Sequence, residues 1–270
     1  MIARLSYDCA AEGKADLVYP GGGRIVMVRC CLAYAAVVIC SSVPQSSVQA
    51  EPRAVIELFT SQGCSSCPPA DRLLGELAAD PSLVSVSVPV DYWDYLGWKD
   101  TLADPRNTAR QKAYAHARGD GQIYTPQVVV NGVLHALGSD KAAIELAIAK
   151  SRKSGAMSLR PTLSLDEGRL KVTVPDLVDA QMGAEVWLLG LVKAATIAIG
   201  RGENKGRAIT YHNVVRRWIK LGEWTGKANS WSIPVQTLKG ANVDEAAVVV
   251  QSGTTEKPKT ILGATLAGIQ

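Results

Sequence analysis

The chain has 270 residues, 47% of them hydrophobic and 20% charged, with 29 Lys and Arg against 25 Asp and Glu. A net charge of +4, scattered along this length, does not mark a nucleic-acid-binding protein, and no apolar run reaches the roughly 20 residues a membrane-spanning helix needs. The length suits one large domain or two ordinary ones.

Residues 1–50 read as an upstream extension plus a signal peptide. Met27 stands at a signal peptide's start, Arg29 precedes the apolar run Cys30–Cys40, and a small, polar stretch ends at Val48-Gln49-Ala50. That pattern predicts cleavage after Ala50 and a periplasmic or secreted protein. Residues 1–26, with Gly21-Gly22-Gly23, carry no hydrophobic pattern. The alternative for the apolar run is a short buried helix. Export removes Cys9, Cys30, Cys31 and Cys40 and leaves Cys64 and Cys67 as the cysteines of the mature chain.

Ala54–Phe59 is apolar and β-leaning, and Ala70–Ala79 carries Leu73, Leu74, Leu77 and Ala78 at helical spacing. Between them lies Thr60-Ser61-Gln62-Gly63-Cys64-Ser65-Ser66-Cys67-Pro68-Pro69. A Cys-x-x-Cys pair opening a helix suits thiol–disulfide exchange: the helix N-terminus favours an anion, which lowers the pKa of Cys64, and Cys67 is placed to resolve a mixed disulfide on it. Pro68 and Pro69 fall where missing amide donors cost least. An inert bridge is the competing reading, although closing so short a loop stabilises little. Zinc or copper needs further ligands, and His116, His135 and His212 show no ligand spacing.

Leu83–Val90 alternates as a strand and is followed by the aromatic, acidic stretch Asp91–Asp100, in which Trp93 is a candidate substrate contact. That stretch lines a groove beside the thiols or packs on itself as a lid. Asp104-Pro105 predicts an N-cap with proline at the first helical position, and the helix should stop near Gly119. Asn131-Gly132 between two apolar runs predicts a hairpin that pairs Gln127–Val130 with Val133–Leu137. Ser139, followed by Asp140, is expected to cap a helix that runs to about Lys150.

The order β-α-β-α-β-β-α, with the thiols at the first strand–helix junction, resembles the thioredoxin fold. The resemblance implies that Pro126 is a cis-proline facing the Cys-x-x-Cys, with Thr125 offering backbone N–H and C=O to an extended substrate. A glutathione site does not carry over. The run Glu57–Asp71, the loop Val90–Trp98 and Tyr124-Thr125-Pro126-Gln127 together are similar to the domain-of-unknown-function 1223 family of secreted bacterial proteins. That resemblance implies export and a thioredoxin-like part; it carries no established activity.

From Leu159 onward, short β-leaning segments recur: 159–165, 169–174, 185–192, 195–199, 209–221, 230–235 and 246–251. They predict a β-sandwich. The basic run Arg201–Arg207 reads as an anion or partner site, or as a hairpin with a solvated charged face. The expected organisation is therefore 1–50 leader, 51–157 α/β thioredoxin-like domain and 158–270 β-sandwich domain.

The favoured reading is an exported thiol–disulfide oxidoreductase in which Cys64 is the nucleophile, Cys67 the resolving thiol, and Thr125, Pro126 and Trp93 the substrate contacts. Its partners are protein or small thiols and disulfides, and it requires no cofactor. Ser65-Ser66 supplies neither a charge nor a ring constraint between the thiols, which argues against a strongly oxidising pair. Two alternatives stay open: a non-catalytic binding module with a structural disulfide, and a periplasmic metal-handling protein. The sequence sets neither the oligomeric state nor the direction of electron flow.

Overall fold

The structure is a computed structural model that describes residues 51–177, 183–238, 240 and 242–269. The leader expected over residues 1–50 lies outside the described residues.

Strand β1 (Ala54–Thr60) is buried along its whole length. One face, with Ile56 and Leu58, packs under helices α1 (Pro68–Ala78) and α3 (Lys141–Arg152). The other, with Val55 and Phe59, packs on Tyr114 of α2 (Pro105–Arg118). A strand covered on both faces reads as a continuous apolar run, as this one does.

β2 (Leu83–Pro89) pairs parallel to β1, and β3 (Gln127–Val130) pairs antiparallel to its other side, followed outward by β4 (Leu134–Leu137). The local signals hold. Asp104 caps α2 by accepting from the Arg106 N–H at 2.9 Å, and Gly119 ends it with φ 78°. Asp140, one residue beyond the expected Ser139, caps α3 by accepting from the Ala143 N–H. Asn131 and Gly132 turn the β3–β4 hairpin with φ 49° and 75°. This half is a thioredoxin-like α/β arrangement.

The expected separate β-sandwich is corrected by the sheet order. The C-terminal strands join the main sheet, which has eight strands in the order β11-β10-β7-β8-β2-β1-β3-β4. Here β7 is Ala184–Ala198, β8 Ala208–Trp224, β10 Glu245–Gly253 and β11 Pro258–Gly268. Strand β8 runs parallel to β2, with Ser87 opposite Val214, and the Asn213 amide donates to the Ser85 carbonyl at 2.9 Å. An unpaired edge on β2 would leave donors and acceptors open to other chains; β8 takes that edge.

The smaller sheet, β5-β6-β9 (Thr162–Asp166, Arg169–Val174, Asn229–Pro234), packs Leu163, Leu170, Val172 and Val174 onto Val186, Leu188, Val248 and Val250 of the large one. The facing layers exist, but one of them is continuous with the thioredoxin-like sheet. The expected strands 185–192 and 195–199 form one strand, since Lys193-Ala194 holds no turn residue. β11, broken by Gly263 and Gly268, escapes the alternation pattern.

A second junction lies at the β3–β4 turn. The Asn131 carbonyl accepts from Ile261 N–H of β11 at 3.0 Å. A Cβ on Gly132 would stand 2.4 Å from the Lys259 carbonyl oxygen. Positive φ and this backbone clash act together, so Gly132→Ala is expected to lower unfolding free energy by about 2 to 4 kcal/mol. The urea midpoint measures it, and a change below about 0.5 kcal/mol, ordinary for a surface substitution, would contradict the described contact.

Candidate functional site

β1 ends at Thr60 and delivers the chain into a turn held by its own backbone. Cys64 N–H donates to the Ser61 carbonyl at 3.1 Å and Cys67 N–H to the Cys64 carbonyl at 3.2 Å. Helix α1 begins there, with Ala70 and Asp71 N–H both donating to the Cys67 carbonyl. Cys64 and Cys67 are joined in a disulfide with their Cα atoms 5.4 Å apart. The intervening Ser65 and Ser66 are exposed, but the cysteines are not: Cys64 is 3% exposed and Cys67 0%.

The structure brings the remaining sequence-predicted residues to the same end of the sheet. Trp93 packs so closely on the turn that a Cβ on Gly63 would sit 3.0 Å from its own, and its indole N–H donates to Thr125 Oγ1 at 2.8 Å. The Thr125-Pro126 bond is cis. Gly138 lies between Pro126 and Ala70 of α1, with room for no side chain of its own. Neither the backbone N–H nor the C=O of Thr125 joins a loop, turn or side-chain hydrogen bond among the described residues. Tyr95 stacks on Trp93 at 6.4 Å and is 78% exposed, so the aromatic stretch is part shelf and part packing.

Three features were not foreseen. The first is a cover over the turn that carries the cysteines. The tip of the β7–β8 hairpin, expected as a solvated basic face or a binding patch, buries Asn204 completely. The Asn204 amide donates to the carbonyls of Gln62 at 3.0 Å and Cys64 at 2.9 Å, while its oxygen accepts from Arg207. Trp98 fills the space beside Gly200 and donates to Gln62 Oε1 at 2.8 Å. The only signal was the polar Asn within a basic run.

The second is a set of buried acids beneath the turn. Asp100 accepts from Gln62, Leu102 and Ala103 N–H groups, and burial still holds its carboxyl above the usual range. Asp71, 1% exposed, accepts from Thr60 Oγ1 at 2.7 Å through one oxygen, while the other has no partner. Burial chiefly, with the nearby Asp100 charge, pushes Asp71 up to about 7. The phenol of Tyr211, on β8, interacts electrostatically with both acids, is raised mainly by burial, and has no hydrogen-bond partner. Asp71 ended the conspicuous motif and was legible as a letter, not as a buried group.

The third is the pair that ties α2 to β1: Arg110 binds buried Glu57 at 2.6 Å and lies over the rings of Tyr114 and Trp218. As for the histidines, His135 is held by Tyr124 and Asp120, His212 lies against Gly75 of α1, and His116 is exposed on α2. No group of three or more His, Cys, Asp or Glu side chains placed to hold a metal ion occurs among the described residues.

Residues 55–251 match the family model described as "Protein of unknown function (DUF1223)". The chain belongs to this family. The DUF1223 chain is similar to protein AGR_C_4864 from Agrobacterium tumefaciens, known from an X-ray crystal structure. The two share 30% identity and a TM-score of 0.72 over 81% of this chain and 95% of that one. It is also similar in fold to HBP35 of Porphyromonas gingivalis, with 14% identity and a TM-score of 0.56 over 82% of this chain and 76% of that one. None of the curated proteins compared with it matches.

The Asp71 carboxyl gives a pH dependence with a definite sign. In the unfolded chain it ionises near its ordinary 3.8, and in the DUF1223 fold near 7. Its contribution to stability is therefore full below about pH 4 and lost as pH rises to about 7, a swing of about 4 kcal/mol. Asp71→Asn keeps an acceptor for Thr60 and removes the ionisation. Relative to the parent, it should gain about 3 to 4 kcal/mol between about pH 4 and pH 8 in urea unfolding. A parallel pH profile for the two proteins would refute the buried ionisation.

Proposed function

We propose that this DUF1223 protein is an exported thiol–disulfide exchange protein acting on protein or small thiols and disulfides. The observation that carries the reading is the convergence of the Cys64–Cys67 bridge, at the start of α1, with Trp93 and Thr125-Pro126. Cys64 is the attacking thiol and Cys67 the resolving one. The unpaired Thr125 backbone groups receive an extended segment by strand addition, and the Trp93–Tyr95 shelf takes an apolar side chain beside it. The leader reading of residues 27–50 supports a periplasmic or secreted location, where such exchange operates.

Burial of both cysteines favours a second reading, a binding module with a locked bridge. In the exchange reading the cover must lift. Asn204 holds it through two carbonyls of the very turn that carries Cys64, so displacing the hairpin tip exposes the sulfur and frees both acceptors together.

Titration of the mature protein against glutathione and dithiothreitol, followed by thiol alkylation, decides between them. The expected midpoint lies between about −120 and −270 mV; a bridge that resists reduction until below about −300 mV makes it structural. Asn204→Ala should speed reduction of the bridge by dithiothreitol by roughly tenfold or more, on the order of 1 kcal/mol of closure for each of the two lost hydrogen bonds. An unchanged rate would mean that the hairpin tip does not gate the sulfurs.

A further inference from the structure

We infer that the cleft between α2 and the C-terminal strands binds a small, neutral aromatic compound carrying a hydrogen-bond acceptor such as a ring carbonyl. The cleft shares no residue with the cysteine end, so the inference is independent of the exchange reading. It begins with how the two faces of the large sheet are covered. The small sheet packs on the C-terminal strands from one side, while α2 packs through Tyr114 on the other. Beside α2 on that second face stand Trp187 of β7 and Trp218 of β8, both partly buried. Between these rings and the helix lies a cleft of about 360 Å³. Its helical wall is Arg106, Ala109, Arg110 and Ala113, spaced three and four apart and so on one face of α2. Two alanines opposite two indoles leave the space open, where a leucine would fill it. The volume lies near the lower end of the ~300–1,000 Å³ of small-molecule sites, which suits two fused rings.

The side chains that line the cleft fix what enters. The indoles stand at 82° with centroids 6.2 Å apart, a corner in which a flat ring stacks on one and meets the other edge to face. Neither indole N–H is free. That of Trp187 donates to Glu185 at 3.2 Å, and that of Trp218 to Asn107 Oδ1 at 2.9 Å. The rings are thereby held in place and turn carbon surface to the cleft.

The polar contact comes from Arg110, whose guanidinium carbon lies 4.6 Å from the centroid of the Trp218 ring. Its Nε and Nη2 are committed to Glu57, Tyr114 and Gln251. Its Nη1 makes no hydrogen bond among the described residues and is not sealed from solvent, which leaves donors beside the aromatic corner. Charge then narrows the class. Glu57 neutralises Arg110 and Asp104 neutralises Arg106, so neither lining cation is left unmatched. Glu256, exposed on the cleft's wall, makes no ion pair among the described residues and repels an anion at the entrance. A cation would meet the Arg110 guanidinium inside. A neutral ring with an acceptor for Nη1 satisfies both ends.

The test is equilibrium dialysis of the oxidised mature protein against coumarin, a neutral two-ring lactone, and against coumarin-3-carboxylate, the same ring with a negative charge. Coumarin should bind saturably, one per chain, with a Kd below about 1 mM. The carboxylate should bind at least about threefold more weakly at low salt, and Glu256→Gln should remove that difference. Ala113→Leu should weaken coumarin binding by at least about tenfold with the urea midpoint unchanged or raised. Ala109→Leu, at a more exposed position on the same helical face, gives the same reading should Ala113→Leu fail to fold. Absence of saturable binding overturns the inference, as does binding that persists in folded leucine variants. Loss of binding in Tyr95→Ala overturns it too, because that places the ring on the Trp93 shelf. A carboxylate that binds as tightly as coumarin or tighter overturns the neutral class.

Discussion

Strand β2 has two edges, and the rest of the molecule depends on what takes the second one. A thioredoxin-like sheet that ended at β2 would be a complete small domain with an open edge. Here β8 occupies it, pairing Val214 with Ser87 and binding the Ser85 carbonyl through Asn213. That attachment turns the C-terminal hairpins into an extension of the same sheet and directs the tip of the long β7–β8 hairpin toward the end where the cysteines lie. The Asn131–Ile261 hydrogen bond and the tight passage of Gly132 beneath Lys259 fix the other end. Two polar anchors, far apart in sequence, set the position of the cover over the bridge.

Local chemistry was legible because it is written within a few residues. The Asp104-Pro105 start and Gly119 stop of α2, the Asn131-Gly132 turn and the strand–turn–helix around Cys64 each follow from side-chain size, φ preference or a nearby acceptor. Pairing partners were not legible. The alternation in 209–221 says that the strand has a buried face; it says nothing about whether its neighbour is a sandwich strand or β2. The same limit hid Asn204. An asparagine in a basic loop reads as solvated until a turn 140 residues away presents two carbonyls to it. The five site residues singled out by pattern converge in space, whereas the buried acids beneath them became visible only as three-dimensional neighbours.

The interior at this end is unusually polar for a core position. Asp71, Tyr211, Ser85 and Ser87 each bury an oxygen with no hydrogen-bond partner. Unpaired buried oxygens cost about 1 to 3 kcal/mol apiece. On the opposite face of β2, Val84, Val86 and Val88 belong to the hydrophobic core. Alternate positions of one strand thus bury valines on one side and the hydroxyls of Ser85 and Ser87 on the other.

The sequence distance between the bridge and its cover also sets an order of events. A chain that emerges from its N-terminus presents Cys64 and Cys67 about 140 residues before Asn204. The bridge joins cysteines three residues apart, whereas the hairpin tip is placed by β7, β8 and the seat of β8 on β2. Forming the bridge and closing the hairpin tip over its turn thus make different demands on the chain: the first is local, and the second is contingent on the sheet being finished.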